Sequence, residues 1–181
     1  EALQNGNKER IIQSGNRIAS IKENKNIVDR FEDCKKILKT RCTHHDTKIS
    51  NVLFDEQDKG ICVIDLDTVM PGYFISDVGD MMRTYLCPVS EEEKDLSKIV
   101  VRKAFYDAIV DGYLAEMGEE LGQTEKKYFH FAGEFMIYMQ AIRFLTDHLN
   151  DDVYYGANYD GHNFVRAANQ LELLRQYQQL K

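Results

Sequence analysis

The chain has no CxxC pair, no run of basic residues, no repeat, and no apolar stretch long enough to span a bilayer. Each absence removes a class of function. The four cysteines (Cys34, Cys42, Cys62, Cys87) are scattered, so cysteine-based metal-ligand spacing is missing. At 181 residues a disulfide framework is not expected, and reduced thiols in the cytoplasm are the plainest expectation. A formal charge of -7 without a basic run disfavours a nucleic-acid surface, because neutralising phosphates takes clustered Lys and Arg. With no spanning segment and no visible signal peptide, no membrane association is expected. What is present is ordinary globular sequence, 43% hydrophobic and 29% charged, which suits one domain with a real core. It opens at Glu1 inside polar, helix-like sequence, as a piece cut from a longer protein would.

The periodicity predicts a mainly helical protein with a small β-hairpin. Ile11, Ile18 and Ile21 give a helix within residues 7–23. Asn26 can cap a second, with Ile27, Phe31, Cys34 and Leu38 on one face. Val52 to Phe54 and Ile61 to Ile64 are short β-type runs around "DEQDKG", where Gly60 supplies a turn. Leu66 to Ser76 reads as loop, broken by Pro71 and Gly72. Asp77 can cap a helix that Pro88 closes, and Ser90 with Glu93 makes a capping-box pattern for the next. Thr124 can cap a long helix to Leu149, apolar over most of its circumference and so expected at the centre. A tyrosine-rich loop and a final helix over 163–178 follow.

The polar residues of interest sit at the two ends of the hairpin. "THHDTKISN" leads into its first strand and "VIDLD" forms and follows its second. A hairpin returns its far end to its start, so Asn51 and Asp65 should be neighbours. The Asn51 amide oxygen and the carboxylates of Asp65 and Asp67, with Asp46 nearby, then offer hard oxygen ligands suited to Mg²⁺. Phosphoryl transfer to an alcohol also needs a carboxylate apart from the metal, to position the hydroxyl and take its proton. Asp46 fits that place.

"HHDTKISN" followed by "VIDLD" resembles the catalytic and metal-binding motifs of the phosphotransferase enzyme family, which includes aminoglycoside phosphotransferases and choline kinases. The wider wording ("SDVGDMMR", "RFLTDHLNDDVYY", "HNFVRAANQLELLRQ") is most similar to N-acetylhexosamine 1-kinases, some relatives of which have been named mucin-desulfating sulfatase. The resemblance covers about Arg41 to Gln178, with generic helix over 86–127. It implies the C-terminal lobe of a protein-kinase-like fold, with ATP as phosphoryl donor, Mg²⁺, and a small-molecule sugar as acceptor. Asp46 then resembles the catalytic base, and Asn51 and Asp65 the Mg²⁺ ligands. Asp67 is either a further ligand or a loop brace. His44 and Asp77 resemble structural supports of the site. In these kinases an N-terminal lobe supplies the phosphate-covering loop and a lysine for the ATP phosphates. No Gly-rich loop precedes His44, so that lobe is expected to be absent from this chain. The fragment is then expected to be inactive alone, with an uncovered apolar face prone to self-association.

Arg143, on a nearly all-apolar helix, needs a partner. That partner is Asp147 one turn on, or else Arg143 donates to sugar hydroxyls or phosphate. Tyr154 and Tyr155 either pack or form a platform for a sugar ring, and Tyr154 is taken for the platform. Asp80 and Arg83 can pair at helical spacing. Two other functions compete with a sugar kinase. A sulfatase needs a Cys/Ser-x-Pro-x-Arg motif, and the nearest stretch, "CPVS", has proline adjacent to Cys87 and no Arg following. A degenerate lobe acting only as a binding module is disfavoured by the intact Asp46, Asn51 and Asp65.

Overall fold

A computed structural model describes residues 1–180. Four short helices come first: α1 (Ala2–Asn5), α2 (Lys8–Gln13), α3 (Gly15–Glu23) and α4 (Asn26–Cys34). The helix expected within 7–23 is therefore split. Ser14 is fully buried between its halves. The Asn7 side chain caps α2 by accepting from the Glu9 and Arg10 amides. Asn26 does not cap α4 but begins it, and Lys25 takes the cap position without a side-chain bond.

Two antiparallel pairs follow. Strands β2 (Val52–Phe54) and β3 (Gly60–Val63) form the expected hairpin, with Val52 opposite Val63 and a register shift beyond Leu53. Strands β1 (Arg41–Thr43) and β4 (Met70–Gly72) form a second pair in stretches without a strand signal. Each is three residues long, too short for alternation to register, and the pairing is non-local. A two-stranded sheet has only edges, so Pro71 forfeits no interior ladder bond.

Helix α5 (Phe74–Tyr85) starts ahead of Asp77, which lies in its first turn rather than at its cap. The capping-box pattern at Ser90 opens no α-helix. That segment bonds other elements: the Asn169 amide donates to the Ser90 and Glu93 carbonyls, and Glu91 pairs with Arg83 and Arg166. Tertiary partners override the local signal, and helix resumes only at α6 (Lys103–Met117). The helix expected from Thr124 is two, α7 (Gln123–Lys126) and α8 (Phe129–Leu149). The last is α9 (His162–Tyr177).

α8 is the central helix, packed on α5 and α9. Phe74, Val78 and Met82 of α5 meet Phe129, Phe131, Ala132 and Ile137 of α8 and Leu173 and Tyr177 of α9 in one buried cluster. Each such side chain contributes roughly 1.5–3 kcal/mol. Gly133 is what lets α9 approach, since a Cβ there would collide with the Tyr177 ring. The Tyr177 hydroxyl is satisfied by donating to the His130 carbonyl at 3.0 Å. α8 is not buried all round: Phe135 and Met139 are half-buried and Arg143 is exposed. Among the described residues no helix is long and apolar enough to cross a membrane.

One ion pair anchors β1 to this helical body. Arg41 donates to both oxygens of the buried Glu125, at 2.6 and 2.9 Å. The Lys39 and Gly122 amides donate to the same carboxylate. The Arg41 hydrogen bonds outweigh burial and hold the Glu125 carboxyl down at about 2. A depressed carboxyl contributes stability above its unfolded value and loses it as pH falls through the folded one. The stability difference between the native chain and Glu125→Gln should therefore shrink from about pH 5 to about pH 2, by at most about 3 kcal/mol. Urea denaturation across that range checks this, and parallel profiles would remove Glu125 as an acid-labile anchor.

Candidate active site

The chain leaves β1 and turns through His44 to Lys48 before a 3-10 turn, Ile49–Asn51, delivers it to β2. Nothing regular holds residues 44–48, so side chains do. The Asp77 carboxylate accepts from the His44 amide at 3.0 Å and the His45 amide at 2.8 Å. Thr47 donates to the Asp77 carbonyl at 2.8 Å, Tyr85 donates its hydroxyl to the Thr47 carbonyl, and Thr68 donates to the His44 carbonyl at 2.6 Å. The His44 ring spans the loop: Nδ1 accepts from the Asp46 amide at 3.3 Å, which leaves Nε2–H to donate to the Ile64 carbonyl at 3.1 Å.

His45 sits in the left-handed region (φ 67), which a non-glycine residue occupies only when its surroundings hold it. Its ring lies between the Ser76 hydroxyl at 2.7 Å and the Thr43 hydroxyl at 2.6 Å. Gly72 of β4 makes room for it, because a Cβ there would collide with Thr43 Oγ1 and the His45 ring.

The loop presents Asp46. Its Oδ2 accepts from Lys48 Nζ at 2.8 Å and from Asn51 Nδ2 at 2.9 Å. Asn51, buried, also donates to the Asp46 carbonyl at 2.9 Å, and among the described residues no hydrogen bond uses its Oδ1. Burial by itself would raise the Asp46 carboxyl, but the bonds from Lys48 and Asn51 outweigh it and hold it below its ordinary value. At neutral pH it is an ionised acceptor.

Across the hairpin, Asp65 takes a left-handed conformation (φ 62, ψ 57) just before a 3-10 turn, Leu66–Thr68. Lys48 Nζ lies 4.0 Å from its carboxylate. A hydrogen bond and charge repulsion from Asp67 push the Asp65 carboxyl above its usual value. Two crowded carboxyl groups and a free amide oxygen form a hard-oxygen donor set, and their chemistry fits Mg²⁺. Among the described residues no group of three His, Cys, Asp or Glu side chains could by itself hold a metal ion. The protein's share of such a site would thus be Asn51, Asp65 and Asp67, with the remaining oxygens drawn from water and phosphate.

Asp46, Asn51, Asp65 and Asp67 thus come to one place, braced by His44 and Asp77. Arg143 and Tyr154 do not join them. They line a separate cavity of ≈ 390 Å³ with Tyr155 and Thr146, and no bond reaches from them to the Asp46 loop. Arg143 makes no pair with Asp147. That carboxylate instead accepts from the Tyr154 and Tyr155 amides at 2.7 and 2.9 Å, and so shapes the tyrosine loop. Arg143, being exposed, reaches the Tyr154 hydroxyl at 3.5 Å and lies 5.8 and 5.4 Å from the centres of the Tyr154 and Tyr155 rings. Asp80 and Arg83 pair as the spacing suggests, at 2.9 Å. The sequence reading missed Lys48, the link between the two halves of the site. Its signal was its place inside the Asp46–Asn51 loop. Thr68, Tyr85 and the packed His45 carried no local signal.

A model of the phosphotransferase enzyme family matches residues 6–122. That is more than half of the chain, and the chain belongs to this family, whose activity is kinase-like phosphoryl transfer. The match contains every residue of the Asp46 site and stops short of Arg143 and Tyr154.

If His45 fixes the loop, crowding it should matter. Gly72→Ala should destabilise the chain by about 1–3 kcal/mol, the usual range for overpacking. Denaturant midpoints measure this, and an unchanged midpoint would mean that His45 yields freely.

Proposed function

We propose that the chain carries the catalytic lobe of an ATP-dependent sugar kinase that uses Mg²⁺ and transfers the γ-phosphate to an N-acetylhexosamine at its anomeric hydroxyl. The observation that carries phosphoryl transfer to an alcohol is the meeting of Asp46, Lys48, Asn51 and Asp65. The sugar rests on the sequence resemblance, and the cytoplasm remains its expected place.

In this reading Asp46 accepts a hydrogen bond from the attacking hydroxyl and takes its proton as the new O–P bond forms and the bond from γ-phosphorus to ADP breaks. Its ionised state at neutral pH suits a base. Asn51 holds Asp46 through the backbone carbonyl and the carboxylate, so the base and one metal ligand are set by a single amide. Mg²⁺, when bound by Asn51, Asp65 and Asp67, supplies neutralisation of phosphate charge. Lys48 adds a cation between the two acidic groups, where transferring phosphate would carry its charge. Arg143 and Tyr154, which line a separate cavity, are retained as an outer sugar contact.

The nucleotide needs a second wall. Leu53, Phe54, Ile61, Val63, Leu66 and Met70 are all exposed around Asp65, with Ile61 and Leu66 at 61% and 60%. An apolar surface of this kind marks a covered face. The N-terminal lobe of the same protein is the covering body in this reading.

Two measurements follow. In the two-lobed protein, Asp46→Asn should lower the chemical step by ~10²–10⁴-fold, with Mg-ATP affinity little changed. Asp65→Asn should abolish turnover and weaken Mg-ATP binding. If Asp46→Asn loses nucleotide but keeps its rate at saturation, the two roles are reversed. Separately, residues 1–181 alone should bind Mg-ATP weakly and should self-associate through the hairpin face. Micromolar affinity by calorimetry, or a strict monomer at high concentration by sedimentation, would contradict the open-face account.

A further inference from the structure

A cavity of ≈ 470 Å³ lies between α3 and α9, with Leu96 in its wall. It shares no residue with the Asp46 site or with the cavity at Arg143. Its volume falls within the ~300–1,000 Å³ of pockets that hold small ligands.

Arg17 of α3 sets its chemistry. The other partly buried arginines are all answered. Arg10, Arg41, Arg83 and Arg166 each have a carboxylate, and Arg102 donates to backbone carbonyls. Arg17 has neither kind of partner among the described residues. Its guanidinium stacks on the Phe164 ring, 3.6 Å from the centre. Its Nε is shut off from solvent with no hydrogen-bond partner, whereas its two terminal nitrogens keep contact with solvent at the cavity. Burial pulls the guanidinium below its usual value, and no nearby carboxylate opposes that pull. A desolvated cation calls for a counter-charge. The stack fixes the plane of the fork and leaves its outer edge for a planar acceptor. Ser20 lies one turn on, on the same face of the helix. Its carbonyl accepts from Asn24 at 3.0 Å, and its hydroxyl has no partner among the described residues.

The remaining wall narrows the ligand. Arg175 already forks onto Glu172, at 2.7 and 2.9 Å, so it adds no second cation. Glu23 lines the cavity six residues along α3, about 9 Å up the axis. A dianion would bring one charge too many past these carboxylates, while a single carboxylate matches the single open cation. Leu96 and Leu171 offer an apolar surface beside it.

We propose that this cavity binds a small organic acid, with its one carboxylate on the terminal N–H groups of Arg17 and its apolar body against Leu96 and Leu171. The site is separate from phosphoryl transfer and does not rest on that reading.

Calorimetry on the full-length protein with octanoate, octylamine and inorganic phosphate tests it. Octanoate should bind at least about ten times more tightly than either of the others, the usual worth of a charge-assisted hydrogen bond. Arg17→Met keeps the apolar stem on Phe164 and removes the charge. It should weaken octanoate about ten-fold or more and leave Mg-ATP affinity unchanged. Leu171→Glu keeps Arg17 and adds a carboxylate to the wall, and it should weaken octanoate by a similar factor. No binding of octanoate at millimolar concentration overturns the site. So does octanoate that binds Arg17→Met and Leu171→Glu as it binds the native protein. Octylamine binding as tightly as octanoate removes Arg17 as the anchor, and phosphate binding as tightly overturns the ligand class. None of these readouts involves phosphoryl transfer, so their failure and that of the kinase reading are distinct.

Discussion

The site depends on one carboxylate, Asp77, that points backwards from the first turn of α5. Residues 44–48 have no helix or strand to fix them, and their backbone amides need partners. Asp77 supplies two of those partners from a helix whose Phe74 and Val78 are buried in the main core. The loop therefore inherits its position from the packing of α5 on α8. The same turn of helix supports Thr47 through the Asp77 carbonyl. A carboxylate accepting backbone N–H groups is a charge-assisted arrangement, roughly twice as strong as neutral pairs. The Asp77 charge is thus used for position, while the charge on Asp46 faces Lys48 and Asn51.

Backbone strain also falls at the site, as it does at Asp58, Asp151 and Asp152 elsewhere. His45 and Asp65 both have positive φ, one on each side of the hairpin. Neither conformation persists without support. His45 is held by Ser76, Thr43 and the space at Gly72, and the segment around Asp65 by His44, which donates to the Ile64 carbonyl. His44 thus connects the loop that carries Asp46 to the turn that carries Asp65 and Asp67. A change in the ring would be felt on both sides, though it bears neither charge. Lys48 makes the same connection electrostatically, between Asp46 and Asp65.

How much of this was legible depended on how local each cause was. The β2–β3 hairpin could be read from composition because both strands and their turn lie within a dozen residues. The meeting of Asn51 with Asp46 followed from spacing, since five residues can turn back on themselves. The β1–β4 pair could not be read, because its two halves make sense only together. The Ser90–Glu93 pattern misled for the opposite reason. Locally it looks like a helix start, but Glu91 and the Ser90 carbonyl find partners on α5 and α9, and those contacts outweigh propensity. Arg143 failed through burial. An Arg on an all-apolar helix needs a partner only where the helix is covered, and α8 is open at that position.

The irregular segment that defeated the sequence reading gives the helical body its polar connection to the site. Glu91 accepts from Arg83 of α5 and from Arg166 of α9, and Arg83 in turn holds Asp80, which lies under Thr47. A row of charges therefore runs from α9 to the floor of the Asp46 loop. Burial pushes the Asp80 carboxyl up, and Arg83 opposes that push. A half-paired network of this kind would be costly in a low-dielectric interior, which is why every charge in it has a partner. The Arg166 guanidinium also lies 3.7 Å from the centre of the Phe144 ring and 5.3 Å from that of Tyr155. Asp147, which shapes the tyrosine loop, is thus the far support of a chain of contacts whose near end is Asp46. Arg143 and Tyr154 share a framework with the site without touching it. Tyr155, Arg166 and Glu91 form the contacts that join their framework to the floor of the Asp46 loop.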